Sequence, residues 1–99
     1  MRRRTFVYIA CSPNPRVGTT LTASLLTTYF AVTSRTVMGF DTNPYDGDFA
    51  RIHPKTTSVI DIAATRGQIE MFDRLVVPDE TPKIVDLWHP AYRRFFEVA

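Results

Sequence analysis

The chain has 99 residues, 12 Lys and Arg against 10 Asp and Glu, a net charge of +2 and a hydrophobic content of 44%. That length holds one domain with a small core, and the composition is that of a folded chain rather than a disordered one. A lone cysteine, Cys11, excludes an internal disulfide framework and a cysteine-rich zinc site. No apolar run approaches the roughly 20 residues of a membrane helix, and only the short stretch Phe6 to Cys11 follows the basic N-terminus, so there is no signal-peptide pattern. The chain reads as cytoplasmic. Arg2, Arg3 and Arg4 read as a solvated tail rather than a nucleic-acid contact, because no aromatic residues interleaved with further basic ones surround them.

Thr5 to Ala10, "TFVYIA", is a β-branched and aromatic run that predicts a strand buried on both faces, with Cys11 as a buried thiol at its end. The loop Cys11 to Gly18 follows, rich in turn residues. From Thr19, the residues Leu21, Leu25, Leu26, Tyr29, Phe30 and Val32 recur at helical spacing and predict a helix of about 14 residues, ended by Ser34 and Arg35. Thr36 to Phe40 reads as a second strand, and strand, helix, strand is the parallel, right-handed βαβ unit. The loop Asp41 to Asp48, "DTNPYDGD", hangs acidic groups at the C-terminal strand edge, where ligands of open α/β sheets sit.

Phe49 to His53 suggests a helical turn stopped by Pro54. Ser58 with Asp61 resembles a capping box opening a short helix to Arg66, stopped by Gly67, and Gln68 to Val76 predicts a second short helix with Ile69, Phe72, Leu75 and Val76 on one face. After the loop 78–82, Lys83 to Leu87 reads as a third strand. Pro90 suits the first turn of a helix from about Ala91 that carries Tyr92, Phe95 and Phe96 on one face. The expected fold is α/β: a small parallel, Rossmann-like sheet of about three strands with helices on both sides. Such a sheet has open edges, which points to a homodimer or to the N-terminal piece of a longer chain.

"SPNPRVGTTLTA", Ser12 to Ala23, has the frame of a phosphate-binding loop: strand, turn, glycine, hydroxyl, helix. A working loop wraps backbone N–H groups around phosphate oxygens, aims a helix N-terminus at them, adds a lysine and holds Mg²⁺ with a hydroxyl. The strict pattern G-x-x-x-x-G-K-S/T fails here twice. Ser12 or Pro13 stands where the first glycine belongs, and Thr19 stands where the lysine belongs.

"NPRVGTTLTA", then "VMGFDTNPYDGD", then "KIVDLWHP" together resemble the ParA/MinD superfamily of deviant P-loop ATPases, whose loop reads like KGGVGKTTTA. The resemblance implies a nucleotide-binding set of Asn14, Arg16, Val17, Gly18, Thr19 and Thr20. Asn14 falls on the signature lysine, Thr19 on the P-loop lysine and Thr20 on the Mg²⁺ ligand. Asp41 and Asn43 fall on the "DxDP" switch segment and Asp86 on the Walker B aspartate. ATP and Mg²⁺ are the implied cofactors, with Thr20, Asp41 and Asp86 about the metal and Asp41 the catalytic candidate. Within the superfamily, "RVGTTLTA" is similar to the "GVGATTLA" loops of the CpaE/TadZ-like branch, which marks sites of pilus assembly and likewise lacks the lysine.

The departures from that pattern have physical weight. Pro15 has no N–H to offer, Arg16 resists the positive φ that glycine permits, and both lysine positions have lost their charge. Phosphoryl transfer rests on positioning and electrostatic stabilisation, so hydrolysis is expected to be negligible. The expected function is a degenerate, non-hydrolysing localisation or assembly factor that works through homodimer and protein-partner contacts and has no need of a cofactor. The alternative is a nucleotide-dependent dimerisation switch, an ATPase with weak binding and hydrolysis, in which Arg16 or a partner subunit supplies the missing charge. His53 and His89 lack ligand spacing, and Asp46 and Asp48 beside Asp41 lack EF-hand spacing, so both groups read as structural or solvated.

Overall fold

The computed structural model describes residues 6–12, 18–33, 35–45, 47–77, 79–88 and 90. Asn14, Arg16 and Val17, the tail Arg2 to Arg4, Asp46, His89 and the expected helix with Tyr92, Phe95 and Phe96 lie outside the described residues. The elements in chain order are β1 (Val7–Ala10), α1 (Thr19–Val32), β2 (Met38–Asp41), α2 (Asp48–Ile52), β3 (Thr57–Val59), α3 (Thr65–Leu75) and β4 (Lys83–Asp86). All strand pairs are parallel, and the sheet order is β1-β4-β2-β3.

That order explains the layering. The chain moves one way across the sheet from β1 to β2 to β3, then doubles back to insert β4 between β1 and β2. Right-handed crossovers therefore place α1 and α2 on one face and α3 on the other. The two cores follow this division. Ala10, Ala23, Phe30, Val37, Phe49 and Ile84 are buried together under α1 and α2. Phe40, Ile60, Ile62, Met71, Val85 and Leu87 are buried under α3, with Met38, Phe72, Leu75 and Trp88 at the margin. Successive residues of a strand face opposite ways, so Ile84 belongs to one core and Val85 to the other. A parallel sheet flanked by helices in three layers is the fold class expected from the sequence.

Several local expectations are corrected. Among the described residues the sheet has four strands, because Thr57–Val59 pairs with β2; Ser58 lies in that strand and does not cap a helix. The segment after it forms one helix, α3, whose first turn contains Gly67. Its Cα stands where a side chain would meet the Asp61 carbonyl, so the glycine serves a close approach inside the helix and not its end. On α3 the fully buried residue is Met71, while Ile69 and Val76 are exposed.

β1 is also corrected. It is a sheet edge with Val7 and Ile9 exposed, and Cys11 is exposed beyond it. The apolar run predicted burial on two faces, but α1 covers only the side on which Tyr8 and Ala10 lie. On α1 the predicted stripe points largely outward: Leu21, Leu25, Tyr29 and Val32 are all more than half exposed. Ala23 and Thr27 take the inward positions with Phe30. These small residues let the helix approach the sheet closely, and Thr27 satisfies its buried hydroxyl by donating to the Ala23 carbonyl at 2.9 Å.

Lys83, at the start of β4, is a fully buried charged residue. Its ammonium donates to Asp79 Oδ1 at 2.7 Å and to the Val77 carbonyl at 3.4 Å, closing the loop before β4. The Lys83 hydrogen bond, helped by the Thr81 N–H, holds the Asp79 carboxyl below the usual carboxylate range. None of the described helices is long and apolar enough to cross a membrane.

The setting of α1 can be checked by substitution. Phe30→Ala should cost about 3–5 kcal/mol of unfolding free energy, whereas Leu25→Ala should stay within roughly 0.5 kcal/mol. Urea denaturation of both variants measures this, and a large loss for Leu25→Ala would mean that α1 faces the sheet with its other side.

Candidate functional site

The parallel register brings three chain segments to one end of the sheet. Asp86 is the last residue of β4 and lies level with Ala10 of β1 and Asp41 of β2. Neighbouring strands lie about 4.8 Å apart, so the two aspartates stand side by side. Both are almost wholly buried, at 2% exposure for Asp41 and 5% for Asp86. The third segment is the N-terminus of α1, which leaves the loop after β1.

Gly18 caps α1 in the left-handed region with φ 84°, and no side chain among the described residues closes the helix start. This turns the first helical residues toward β4. Thr20 Oγ1 donates to Asp86 Oδ2 at 2.7 Å, joining residues 66 apart in sequence. Burial raises the Asp86 pKa first and the Asp41 charge adds to it, while hydroxyl hydrogen bonds from Thr20 and Thr19 pull it back. The net direction is upward.

Asp41 is occupied differently. Its Oδ1 accepts the Asn43 N–H at 3.1 Å and its Oδ2 accepts the Ala50 N–H, in the first turn of α2, at 2.9 Å. An acid placed on a helix N-terminus satisfies orphan donors and meets the positive end of the dipole. Asp41 therefore acts as a distant cap for α2, holding the loop to the sheet. Gly47, the residue before α2, passes so close that an added Cβ would fall 2.2 Å from Asp41 Oδ2. Asn43 Oδ1 in turn accepts the Tyr45 N–H at 3.0 Å, so "DTNPY" is a chain of small side-chain-closed turns.

Thr42 and the aromatic pair beside it were not singled out from the sequence. Thr42, 1% exposed, donates its N–H and its hydroxyl to the Asp86 carbonyl, at 3.2 Å and 3.1 Å, and accepts the Trp88 N–H at 2.8 Å. It fastens the end of β2 to the end of β4. Tyr45 meets Trp88 edge to face with centroids 5.7 Å apart, at the rim of the site. The only signal for Thr42 was a hydroxyl directly after a strand-terminal aspartate.

Of the predicted site residues, Gly18, Thr19, Thr20, Asp41 and Asp86 converge on this end of the sheet. Asn43 lies just beyond, bonded to Asp41. Among the described residues the convergence contains no cation: Lys83 is at the opposite end of β4, and Arg51 pairs with Asp48 on the outer side of α2. No group of three or more His, Cys, Asp or Glu with metal-binding arrangement occurs among the described residues.

Two outcomes are expected from this geometry. Gly47→Ala should lose about 1–3 kcal/mol by forcing a methyl against a carboxylate that two backbone bonds hold in place, read by chemical denaturation. For Asp86, the folded chain binds the proton more tightly than the unfolded chain, so its contribution to stability falls as pH rises from the ordinary carboxylate range through the raised folded value. Asp86→Asn keeps an acceptor for Thr20 and removes that loss. It should melt higher than the parent at pH 7, with the gap closing as the pH is lowered toward 4; parallel melting curves would refute this account of Asp86. No protein-family model, curated protein or solved structure matches the chain.

Proposed function

We infer that the chain is a degenerate ParA/MinD-like domain, a non-hydrolysing localisation or assembly factor that acts through contacts with a second copy and with protein partners. The observation that carries this reading is the Thr20–Asp86 hydrogen bond beside Asp41. A hydroxyl at the start of the first helix, a buried aspartate at the end of the adjacent strand and a second acid on the next strand form the frame of a nucleotide site, built with no described cation.

The donor set decides how much nucleotide chemistry that frame supports. Mg²⁺ is bound by one or two carboxylates together with substrate phosphates and retained waters. Thr20 keeps its lone pairs while it donates to Asp86, and the Asp86 carboxylate has lone pairs beyond those that meet the Thr20 and Thr19 hydroxyls, so these two residues fit Mg²⁺ in the company of phosphates. A triphosphate does not fit equally well. Each Asp41 oxygen already accepts one backbone N–H, and the two buried acids repel phosphate where a lysine would attract it. Mg²⁺, when bound, would supply charge neutralisation; the chain's own residues orient Asp86 through Thr20 and hold the switch-like loop through Asp41. Among the described residues no cation stands ready to stabilise the charge of a transferring phosphoryl group.

The second reading, a nucleotide-dependent dimerisation switch with ATP and Mg²⁺ as cofactors, is favoured by one feature: among the described residues no side chain caps the start of α1, whose N–H groups suit an anion. It requires Arg16 or a residue of a partner subunit to restore the missing charge.

Phosphate release and isothermal titration separate the two. Purified protein should release no phosphate from Mg-ATP above a protein-free control and give no heat with ATP or ADP up to millimolar concentration. Turnover abolished by Asp41→Ala, or Mg²⁺-dependent micromolar binding lost in Thr20→Ala, would replace the first reading with the second.

A further inference from the structure

α1 turns an apolar stripe away from the protein. At about 100° per residue, Leu21, Leu25, Tyr29 and Val32 fall within a sector of roughly 80°, on the side opposite the inward Ala23, Thr27 and Phe30. All four are more than half exposed, and the stripe runs about 16 Å along the helix. No Lys, Arg, Asp or Glu interrupts it, since α1 contains none from Thr19 to Val32.

One end of the stripe is aromatic and basic. Tyr29 meets Phe30 at 5.3 Å between ring centroids, Phe30 meets Tyr8 at 5.7 Å and Tyr8 meets Phe6 at 6.4 Å, so a run of rings leads from the outer side of α1 to the start of β1. Arg35, exposed just past the helix, sets its guanidinium 5.3 Å from the Phe30 ring centre and donates to the Glu80 carbonyl at 3.3 Å. Arg2, Arg3 and Arg4 shortly precede Phe6, and bond geometry alone keeps them within about 15 Å of it. Among the described acids at this end, Asp79 is held by Lys83, Asp73 lies on α3 across the sheet, and Glu80 is the one that remains. Asp41, Asp48, Asp61 and Asp86 gather at the opposite end, about the C-termini of β2, β3 and β4. On α2, which shares the α1 face of the sheet, Arg51 and Asp48 pair with each other.

We propose that α1 lies flat on a bilayer of anionic lipid, with its outer stripe at the boundary of headgroups and acyl chains and with Arg2, Arg3, Arg4 and Arg35 on the lipid phosphates. Charge selects the occupant. A second copy presents the same arginines and brings no countercharge to them. A single-stranded nucleic acid brings the countercharge, but Leu21, Leu25 and Val32 give its bases no ring to stack on. An anionic bilayer meets both halves of the surface: hydrocarbon takes the aliphatic stripe, and phosphates take the guanidinium groups. Tyr29, with an apolar body and a polar tip, suits the headgroup level between them. The inward side of α1 is already occupied by the sheet, so the helix needs no charged back to stay at the surface. The docking goes beyond the proposed function and rests on neither nucleotide reading.

Sedimentation with vesicles tests it, using the full 99-residue protein without nucleotide. Binding to phosphatidylcholine mixed with phosphatidylglycerol should be at least tenfold tighter than to phosphatidylcholine alone and should weaken as salt is raised. Leu25→Glu, and Arg2, Arg3 and Arg4 replaced together by serine, should each weaken it at least tenfold, each variant being shown by circular dichroism to be folded. Ile69→Glu, at an exposed position on α3 across the sheet, should leave it unchanged. A polarity-sensitive dye on Leu25→Cys, in a Cys11→Ser background, should shift to the blue on the mixed vesicles, which decides the matter even if Leu25→Glu unfolds. Equal binding to both vesicles, a dye that stays in water, or Leu25→Glu sedimenting like the parent would each overturn the docking. So would a vesicle-free dimer that Leu25→Glu breaks, which would give the stripe to a second copy, or binding to a single-stranded oligonucleotide in preference to the vesicles. Because no step involves ATP, a failure here is separate from a failure of the non-hydrolysing reading.

Discussion

The fold depends on a single strand that is buried on every side and carries an ionisable residue at each end. β4 is enclosed by β1 and β2 and by helices on both faces, and all four of its residues are buried. Ile84 and Val85 supply its apolar interior, while Lys83 and Asp86 bring an ammonium and a carboxylate to opposite ends of the sheet. Neither charge can be left without partners in that environment. The cation is answered by Asp79 and a backbone carbonyl, which fixes the loop that enters the strand. The anion is answered by hydroxyls from α1, which fixes the element that leaves β1. A purely apolar β4 would pack as well, yet it would leave the loop at one end and the helix at the other without a specific anchor.

Asp41 completes the arrangement by dividing labour with Asp86. Both occupy the final position of their strands at the same register level. Backbone N–H groups take up the first, and side-chain hydroxyls take up the second. The difference follows from what comes next in the chain. After β2, a short loop turns at once into α2, whose first turn needs an acceptor; after β4, the backbone is held by Thr42, so the Asp86 side chain is left to face α1. Two chemically identical residues thereby acquire unlike roles, one binding its own loop and one binding a distant helix.

The α/β class and the strand β4 were legible in the sequence because each rests on a local pattern of apolar runs and turn residues, whereas the grouping of Gly18, Thr20, Asp41 and Asp86 was implied by the family resemblance. What escaped depended on relations between distant segments. β3 is three residues of "TSV" with no apolar alternation to mark it, and it exists because β2 offers an edge. Gly67 reads as a helix stop until the Asp61 carbonyl is seen against it. The inward side of α1 was misassigned because periodicity identifies a buried face only when the remaining faces are polar. Here threonine, alanine and leucine surround the whole helix. Thr42 was hidden for the opposite reason, since one small hydroxyl residue carries three bonds that no spacing rule announces.

That evenness of α1 has a mechanical consequence. A helix with a polar back is held in its rotational setting by the cost of turning charges inward, a restoring torque distributed along its length. α1 has no charged residue from Thr19 to Val32, so burial alone supplies little such torque. Its setting rests on the small inward residues Ala23 and Thr27 and on contacts at its two ends: the Thr20 hydroxyl on Asp86 near the start, and Phe30 against Tyr8 near the finish. Any group that competes for Asp86 therefore also competes with the hydroxyl that ties the start of α1 to β4.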